Sequence, residues 1–180
     1  MKIISRLWYL VTHSKLLRIL LSLPWYGYLK DTGWINSFNQ QKSIDLNGNP
    51  LPWVTYPLID FIQDRLNKNL RIFEYGSGYS TLFYAPRVHS VTSVEHDKEW
   101  YLKIKTLIPE NVFLHHCELS NSGHYSNFIN TGKISFDLVI IDGRDRVNCI
   151  KYSISKLSEM GVVILVIRKE RSMNPESIYC

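Results

Sequence analysis

The segment Glu74-Tyr75-Gly76-Ser77-Gly78-Tyr79-Ser80-Thr81 holds the most chemically suggestive spacing in the chain. Two glycines one residue apart let a backbone turn sharply and approach a ligand with no Cβ in the way, which a nucleotide-like cofactor requires where a strand runs into a helix. Thr81 stands where the dinucleotide-binding pattern has its third glycine. Glu95 ends the next apolar run, and a carboxylate there can accept hydrogen bonds from both hydroxyls of a ribose. The plainer readings are an ordinary tight turn for the glycines and a solvated strand-end charge for Glu95. Asp142 follows the apolar run Val139-Ile140-Ile141, so it belongs at the same ligand-bearing edge; its plainer role is to cap the Gly143-Arg144 turn. Where a hydroxyl must lose a proton, a base within hydrogen-bond reach helps, and Asp142 and His124 have that chemistry. His124 lies in the polar loop that runs from Ser120 to Tyr125, which can close over a ligand or simply expose the imidazole. Arg144 and Arg146 suit an anionic acceptor, or are solvated.

Metal chemistry is not expected. His115 and His116 are adjacent in a strand, so their side chains point to opposite faces. Cys117, Cys149 and Cys180 are odd in number and form no C-x-x-C pair, which argues against a disulfide framework or a zinc knuckle and for a reducing, cytoplasmic setting.

These residues need a scaffold. The 180 residues, 45% hydrophobic and 21% charged, suit one globular domain with a substantial core. After Pro57 the spacing of Leu58, Ile59, Ile62 and Leu66 predicts a helix that ends at Asn67. From there the pattern alternates: strand 70–75, helix 79–85, strand 88–95, helix 97–108 with Asp97 as N-cap, strand 111–117, a polar loop, strand 136–141, helix 146–159 and strand 162–167. The helix 146–159 is read from Val147, Ile150, Ile154 and Leu157 on one face. The strands 136–141 and 162–167 are nearly continuous apolar runs, as expected of strands buried on both faces. The expected fold is α/β, a doubly wound, mostly parallel Rossmann-like sheet of about five strands, order 3-2-1-4-5, with helices on both faces.

Residues 1–56 are read as an extension of that domain, 57–180. Residues 3–23 carry Ile3, Leu7, Leu10, Leu17 and Leu21 at helical spacing, interrupted by Arg6, His13, Lys15 and Arg18. This is an amphipathic helix, neither a membrane span nor a signal peptide. A basic helix with Trp8 and Tyr9 suits peripheral contact with an anionic membrane, and equally suits packing on its own domain or a partner subunit. The aromatic lead-in that follows, with Trp25, Tyr26, Trp34, Trp53 and Tyr56, can line an acceptor pocket or cover the sheet. The net charge of +5 is modest, and no basic stripe interleaved with aromatics marks the body of the domain, which argues against a nucleic-acid partner.

The motifs together resemble class I S-adenosylmethionine-dependent methyltransferases. Residues 74–81 resemble their E/D-x-G-x-G signature, Ser93-Val94-Glu95-His96-Asp97 their ribose-binding motif, and the stretch from Phe136 to Asn148 their fourth motif. With Pro52-Trp53-Val54-Thr55-Tyr56-Pro57, the chain is similar over residues 25–165 to a bacterial group of such enzymes, some of them found among surface-polysaccharide functions. The resemblance implies S-adenosyl-L-methionine as cofactor, held by Glu74, Tyr75, Gly76, Ser77, Gly78, Ser80 and Thr81, by Glu95 and His96 at the ribose, by Glu118 near the adenine, and by Asp142 facing the reacting centre. It implies methyl transfer to an oxygen of a small molecule or glycan acceptor. It also implies a further helix and two strands after the fifth strand, whereas the pattern stops after Leu165. The expectation is therefore a chain shortened at its C-terminus, whose fifth strand is an exposed apolar edge able to pair in a homo-oligomer. A nicotinamide-dependent oxidoreductase and a non-catalytic binding domain are the alternatives.

Overall fold

The computed structural model describes Ser5, Trp8, Tyr9, Thr12, residues 14–120 and residues 122–167. The chain divides into two compact units after Asn49.

In the first unit, α1 spans Lys15–Ser22, and its N-cap Ser14 accepts from the Leu17 N–H at 3.2 Å. The helix read over residues 3–23 is interrupted: Ser5, Trp8, Tyr9 and Thr12 are helical, but Ser14 is extended, with φ −88° and ψ 109°, so α1 starts afresh at Lys15. Ile3, Leu7 and Leu10 of that stripe lie outside the described residues. The lead-in read as irregular contains two short helices, α2 (Tyr28–Asp31) and α3 (Trp34–Gln40). The Asn47-Gly48-Asn49 turn forms because Asp45 Oδ1 accepts from the N–H groups of Asn47 and Asn49, each at 2.8 Å.

The second unit begins its regular structure with α4 (Tyr56–Gln63), which has Pro57 in its first turn and buries Ile59 and Ile62. It continues with β1 (Arg71–Tyr75), α5 (Tyr79–Tyr84), β2 (Ser90–Glu95), α6 (Lys98–Lys105), β3 (Val112–His116), α7 (His124–Asn127), β4 (Phe136–Ile141), α8 (Arg146–Ile154) and β5 (Leu157–Leu165). Single 3₁₀ turns, Ala85–Arg87 and Phe128–Thr131, extend α5 and α7. The sheet order is β3-β2-β1-β4-β5, and every pairing is parallel. The expected Rossmann-like α/β fold is therefore observed.

Both faces of the sheet are covered at β1 and β4, which explains the apolar run 136–141; the run 162–167, read as buried on both faces, instead lies in the outer strand of the described sheet and has no buried residue. Ile72, Leu138 and Ile140 pack with Ile59, Ile62, Phe83 and Tyr84 on one face. Phe73, Tyr75, Val139 and Ile141 pack with Tyr125, Ile129 and Cys149 on the other. Residues alternate between the two clusters along each strand, as a two-residue period dictates.

Several boundaries differ from the sequence reading: the helix read to Asn67 stops at Gln63, the one read to residue 108 stops at Lys105, and the polar loop after β3 contains α7. The helix read over 146–159 stops at Ile154, and its supposed core stripe is largely outside: Val147 is 67% and Ile154 65% exposed, while Cys149 and Ser153, one turn apart, are fully buried. Small side chains let the helix approach the sheet closely, so hydrophobicity alone pointed to the wrong face. Leu157 belongs to β5 rather than to the helix, pairing with Phe136 before a register shift restores pairing at Leu138–Val162. Gly161 sits at that irregularity, where a Cβ would fall 2.8 Å from the Phe136 carbonyl oxygen. β5 is the outer strand of the described sheet and leaves Met160 and Val162 exposed.

The corrected helix face predicts that Ile154→Ser changes stability by less than about 0.5 kcal/mol, whereas Cys149→Leu costs about 1–3 kcal/mol by overpacking, as read from urea unfolding. Comparable losses from both substitutions would contradict this orientation.

Candidate functional site

The carboxyl ends of β1, β2 and β4 lie side by side. Glu74 pairs in register with Ser93 on one side and Ile140 on the other, and Tyr75 with Val94 and Ile141. The ladder closes just beyond, where the Gly76 N–H donates to the Val94 carbonyl at 2.9 Å and the Asp142 N–H to the Tyr75 carbonyl at 3.2 Å. Strand alternation puts Glu74, Ser93 and Glu95 on the face that carries α5, and Tyr75 on the opposite face.

Glu74 is 1% exposed. The Ser80 hydroxyl donates to its Oε1 at 2.5 Å, while Thr81 and Ser93 donate to Oε2 at 2.5 and 3.2 Å. Burial raises the carboxyl from 4.5 to about 7 against the pull of those three hydroxyls, and the charge of Asp142 adds to the rise. Thr81 also accepts from the Gly78 N–H at 3.0 Å. Its hydroxyl thus connects the buried acid to the loop, a task that a third glycine has no atom to perform.

Between these anchors the backbone turns at Gly76 with φ 98°, a conformation that disfavours any side chain. Glu95 holds the next residue. Its Oε2 accepts from the Ser77 N–H at 2.9 Å and the Ser77 hydroxyl at 3.0 Å, and its Oε1 from the N–H groups of His96 and Asp97 at 2.9 and 3.0 Å. His96 Nδ1 also stands 3.0 Å from Oε1, at an angle short of a hydrogen bond. Burial opposes ionisation of Glu95, but the imidazole of His96 and the hydrogen bonds from Asp97 and Ser77 outweigh it and hold the carboxyl below its ordinary value. The Trp100 indole N–H donates to the Ser77 carbonyl at 2.7 Å, and its ring lies 3.6 Å from where a Cβ on Gly78 would sit. The loop is therefore fixed by an acid on β1, an acid on β2 and an indole on α6.

Across the β1–β4 junction, Asp142 is half-buried and Gly143 buried. A Cβ on Gly143 would stand 2.1 Å from the Tyr125 hydroxyl oxygen and 3.1 Å from the Tyr75 carbonyl, so only glycine fits. Tyr125, 1% exposed, lies within ring-contact distance of Tyr75 and His96 and so bridges the β1, β2 and β4 ends. Arg146 is half-buried, and its Nε donates to the Gly143 carbonyl at 3.1 Å, bracing this turn.

The structure gathers Glu74, Gly76, Ser77, Gly78, Ser80, Thr81, Glu95 and His96 in one place, with Asp142 near enough for its charge to act on Glu74. Tyr75 contributes only its backbone there; its side chain points to the other face, where its hydroxyl donates to the Ser126 carbonyl at 2.6 Å. His124, the first residue of α7, and Glu118, beyond β3, are exposed. Among the described residues no group of His, Cys, Asp and Glu is arranged to hold a metal. Sequence reasoning missed Ser93, Trp100, Tyr125 and Gly143. Ser93 was accessible from the strand period, two residues before Glu95; Tyr125 required the tertiary fold. A pocket of about 470 Å³ lies at the opposite, amino ends of β2 and β3, lined by Lys68, His89 and Asn111 among others. Lys68 there donates to the Pro86 carbonyl at 2.7 Å, and the site lies away from the strand ends where α/β sheets bind ligands.

No protein-family model matches the chain, and no curated protein matches it. Among solved structures it is similar to a precorrin 8w decarboxylase of Methanobacterium thermoautotrophicum, with 17% identity, TM-score 0.51, and coverage of 70% of this chain and 69% of that one. It is also similar to a methyltransferase-like protein of Silicibacter pomeroyi, with 22% identity, TM-score 0.46, and coverage of 58% and 67%. At 17% identity the first likeness establishes the shared fold and nothing further.

The raised Glu74 carboxyl makes the folded state bind a proton that the unfolded state releases between about pH 4.5 and 7. Its contribution is complete below the lower value and is lost as pH rises through the upper one. Relative to Glu74→Gln, the wild type should lose on the order of 3 kcal/mol across that window. Chemical denaturation at a series of pH values checks this; parallel curves for the two proteins would contradict it.

Proposed function

We propose that the crevice over the Gly76–Gly78 loop binds S-adenosyl-L-methionine and that the chain is a methyltransferase acting on an oxygen of a small molecule or glycan. The observation that carries this reading is the sign of the local charge. Glu74, Glu95 and Asp142 surround the turn, Glu95 is held ionised, and the charge of Asp142 is felt at Glu74. A field of that sign attracts a sulfonium and repels a dinucleotide's pyrophosphate, which weighs against the nicotinamide alternative.

The residues present fit such a cofactor. Gly76 provides the turn, and Glu95 provides an ionised acceptor at the end of the second strand for the ribose hydroxyls. The four acceptor positions of Glu95 are filled by donors of the chain itself. Three are backbone N–H groups, and the fourth is the Ser77 hydroxyl, which can rotate away. A ribose hydroxyl therefore enters by displacing Ser77 Oγ. His96 borders the same carboxylate, and Glu118, exposed beyond β3, is the residue we assign to the adenine edge.

The cofactor supplies an already activated methyl group. The protein's task is to align the acceptor oxygen behind that carbon, from which large rate gains follow without covalent chemistry. Asp142, at the end of β4, accepts the proton of an acceptor hydroxyl, with His124 as the second candidate. Gly143, Tyr125 and Arg146 hold the Asp142 turn in place.

Calorimetric titration with S-adenosylmethionine, S-adenosylhomocysteine and NAD tests the reading. The adenosyl sulfur compounds should bind and NAD should not; NAD binding alone, or binding of none, would contradict it. Glu95→Ala should weaken S-adenosylhomocysteine by roughly 1.5–3 kcal/mol. Ser77→Ala should tighten it by up to about 1 kcal/mol, because a competing donor is removed.

A further inference from the structure

The charge of the chain is distributed unevenly. Residues 1–30 contain Lys2, Arg6, Lys15, Arg18 and Lys30 and no aspartate or glutamate, so these five cations equal the whole net charge of +5. The remaining 150 residues balance, with sixteen bases against sixteen acids. In the same stretch Lys15, Arg18 and Lys30 are exposed. So are large apolar side chains: Ile19, Leu20 and Leu21 on α1 are 57%, 52% and 53% exposed, and Trp25, Tyr26 and Tyr28 are 68%, 75% and 60% exposed. Surfaces that combine such side chains in quantity mark a place of contact.

We propose that the amino-terminal unit docks on an anionic lipid surface. Each class of partner explains a different part of the surface. Nucleic acid would answer the cations but leave Ile19, Leu20 and Leu21 in water. An apolar protein face would cover those side chains but leave the concentrated positive charge unmatched. An anionic bilayer interface answers both, burying aliphatic side chains at the acyl boundary, seating Trp and Tyr rings at headgroup level and drawing Lys and Arg to the phosphates. Among the described residues no helix is long and apolar enough to cross a membrane. The inference does not depend on the function proposed for the glycine loop.

The full chain is sedimented with vesicles of phosphatidylcholine alone and of phosphatidylcholine with phosphatidylglycerol, at about 0.05 and 0.5 M salt. It should pellet with the anionic vesicles at low salt, be largely released at high salt, and bind neutral vesicles weakly. Lys15→Gln combined with Arg18→Gln should lower anionic partitioning on the order of tenfold. Trp25→Ala combined with Tyr26→Ala should reduce residual binding to neutral vesicles. All four side chains are exposed, and an unchanged thermal midpoint verifies that each variant folds. Failure to bind anionic vesicles overturns the proposal, whether the chain stays free, binds an added DNA duplex instead, or covers this surface in a stable dimer. Vesicle binding unaffected by either pair of substitutions overturns it too.

Discussion

The arrangement of the glycine loop depends on a carboxyl group placed inside a hydrophobic sheet. Glu74 is flanked by Ile72 and Ile140 on its own face and is closed off from water. An ionised acid in such a place is costly unless donors surround it. Three hydroxyls do so, from the adjacent residues Ser80 and Thr81 in the first turn of α5, and from Ser93 of the neighbouring strand. Satisfying the acid therefore binds β1, β2 and α5 into a single unit. The N–H groups of Gly76, Ser77 and Gly78 and the Ser77 carbonyl all have partners within the chain.

A second acid completes the frame from the other direction. Glu95 is also buried, yet its carboxyl is held ionised where that of Glu74 is pushed toward neutrality. The neighbours explain the contrast: the His96 imidazole and the donors of Asp97 and Ser77 favour the charged form of Glu95 and outweigh its burial, whereas the three hydroxyls around Glu74 do not outweigh the burial of that acid. Two glutamates on one face of one sheet thus take different protonation behaviour from their donors. One acts as a structural anchor, and the other holds a negative charge at the carboxyl end of β2.

Much of this was readable before any coordinates. Strand–helix alternation and the apolar runs led to a parallel, doubly wound sheet, whose order is that of the expected Rossmann-like fold, and Gly76, Glu95 and Asp142 fall at the strand ends where their spacing placed them. The failures have physical causes. Val147 and Ile154 suggested a core face that Cys149 and Ser153 occupy, because close packing against a sheet favours small side chains over greasy ones. The segment from Leu157 to Gly161 lacks a clean period because it contains a register shift. Tyr125 entered the reading only as part of a polar loop, since nothing local reveals that its ring fills the gap beside Gly143. Tyr75 was grouped with the cofactor contacts by its place in a motif, although the strand period alone sends its side chain to the far face.

Under the function proposed above, a nucleoside enters at the carboxyl ends of β1 and β2 by displacing Ser77 Oγ from the Glu95 carboxylate. An amide ¹⁵N–¹H spectrum recorded during titration with S-adenosylhomocysteine tests it directly. The perturbed signals should concentrate at Gly76, Ser77, His96 and Asp97, with Lys68, His89 and Asn111 at the opposite end of the sheet unmoved. Shifts centred on that opposite end, or a spectrum unchanged at saturating ligand, would contradict it.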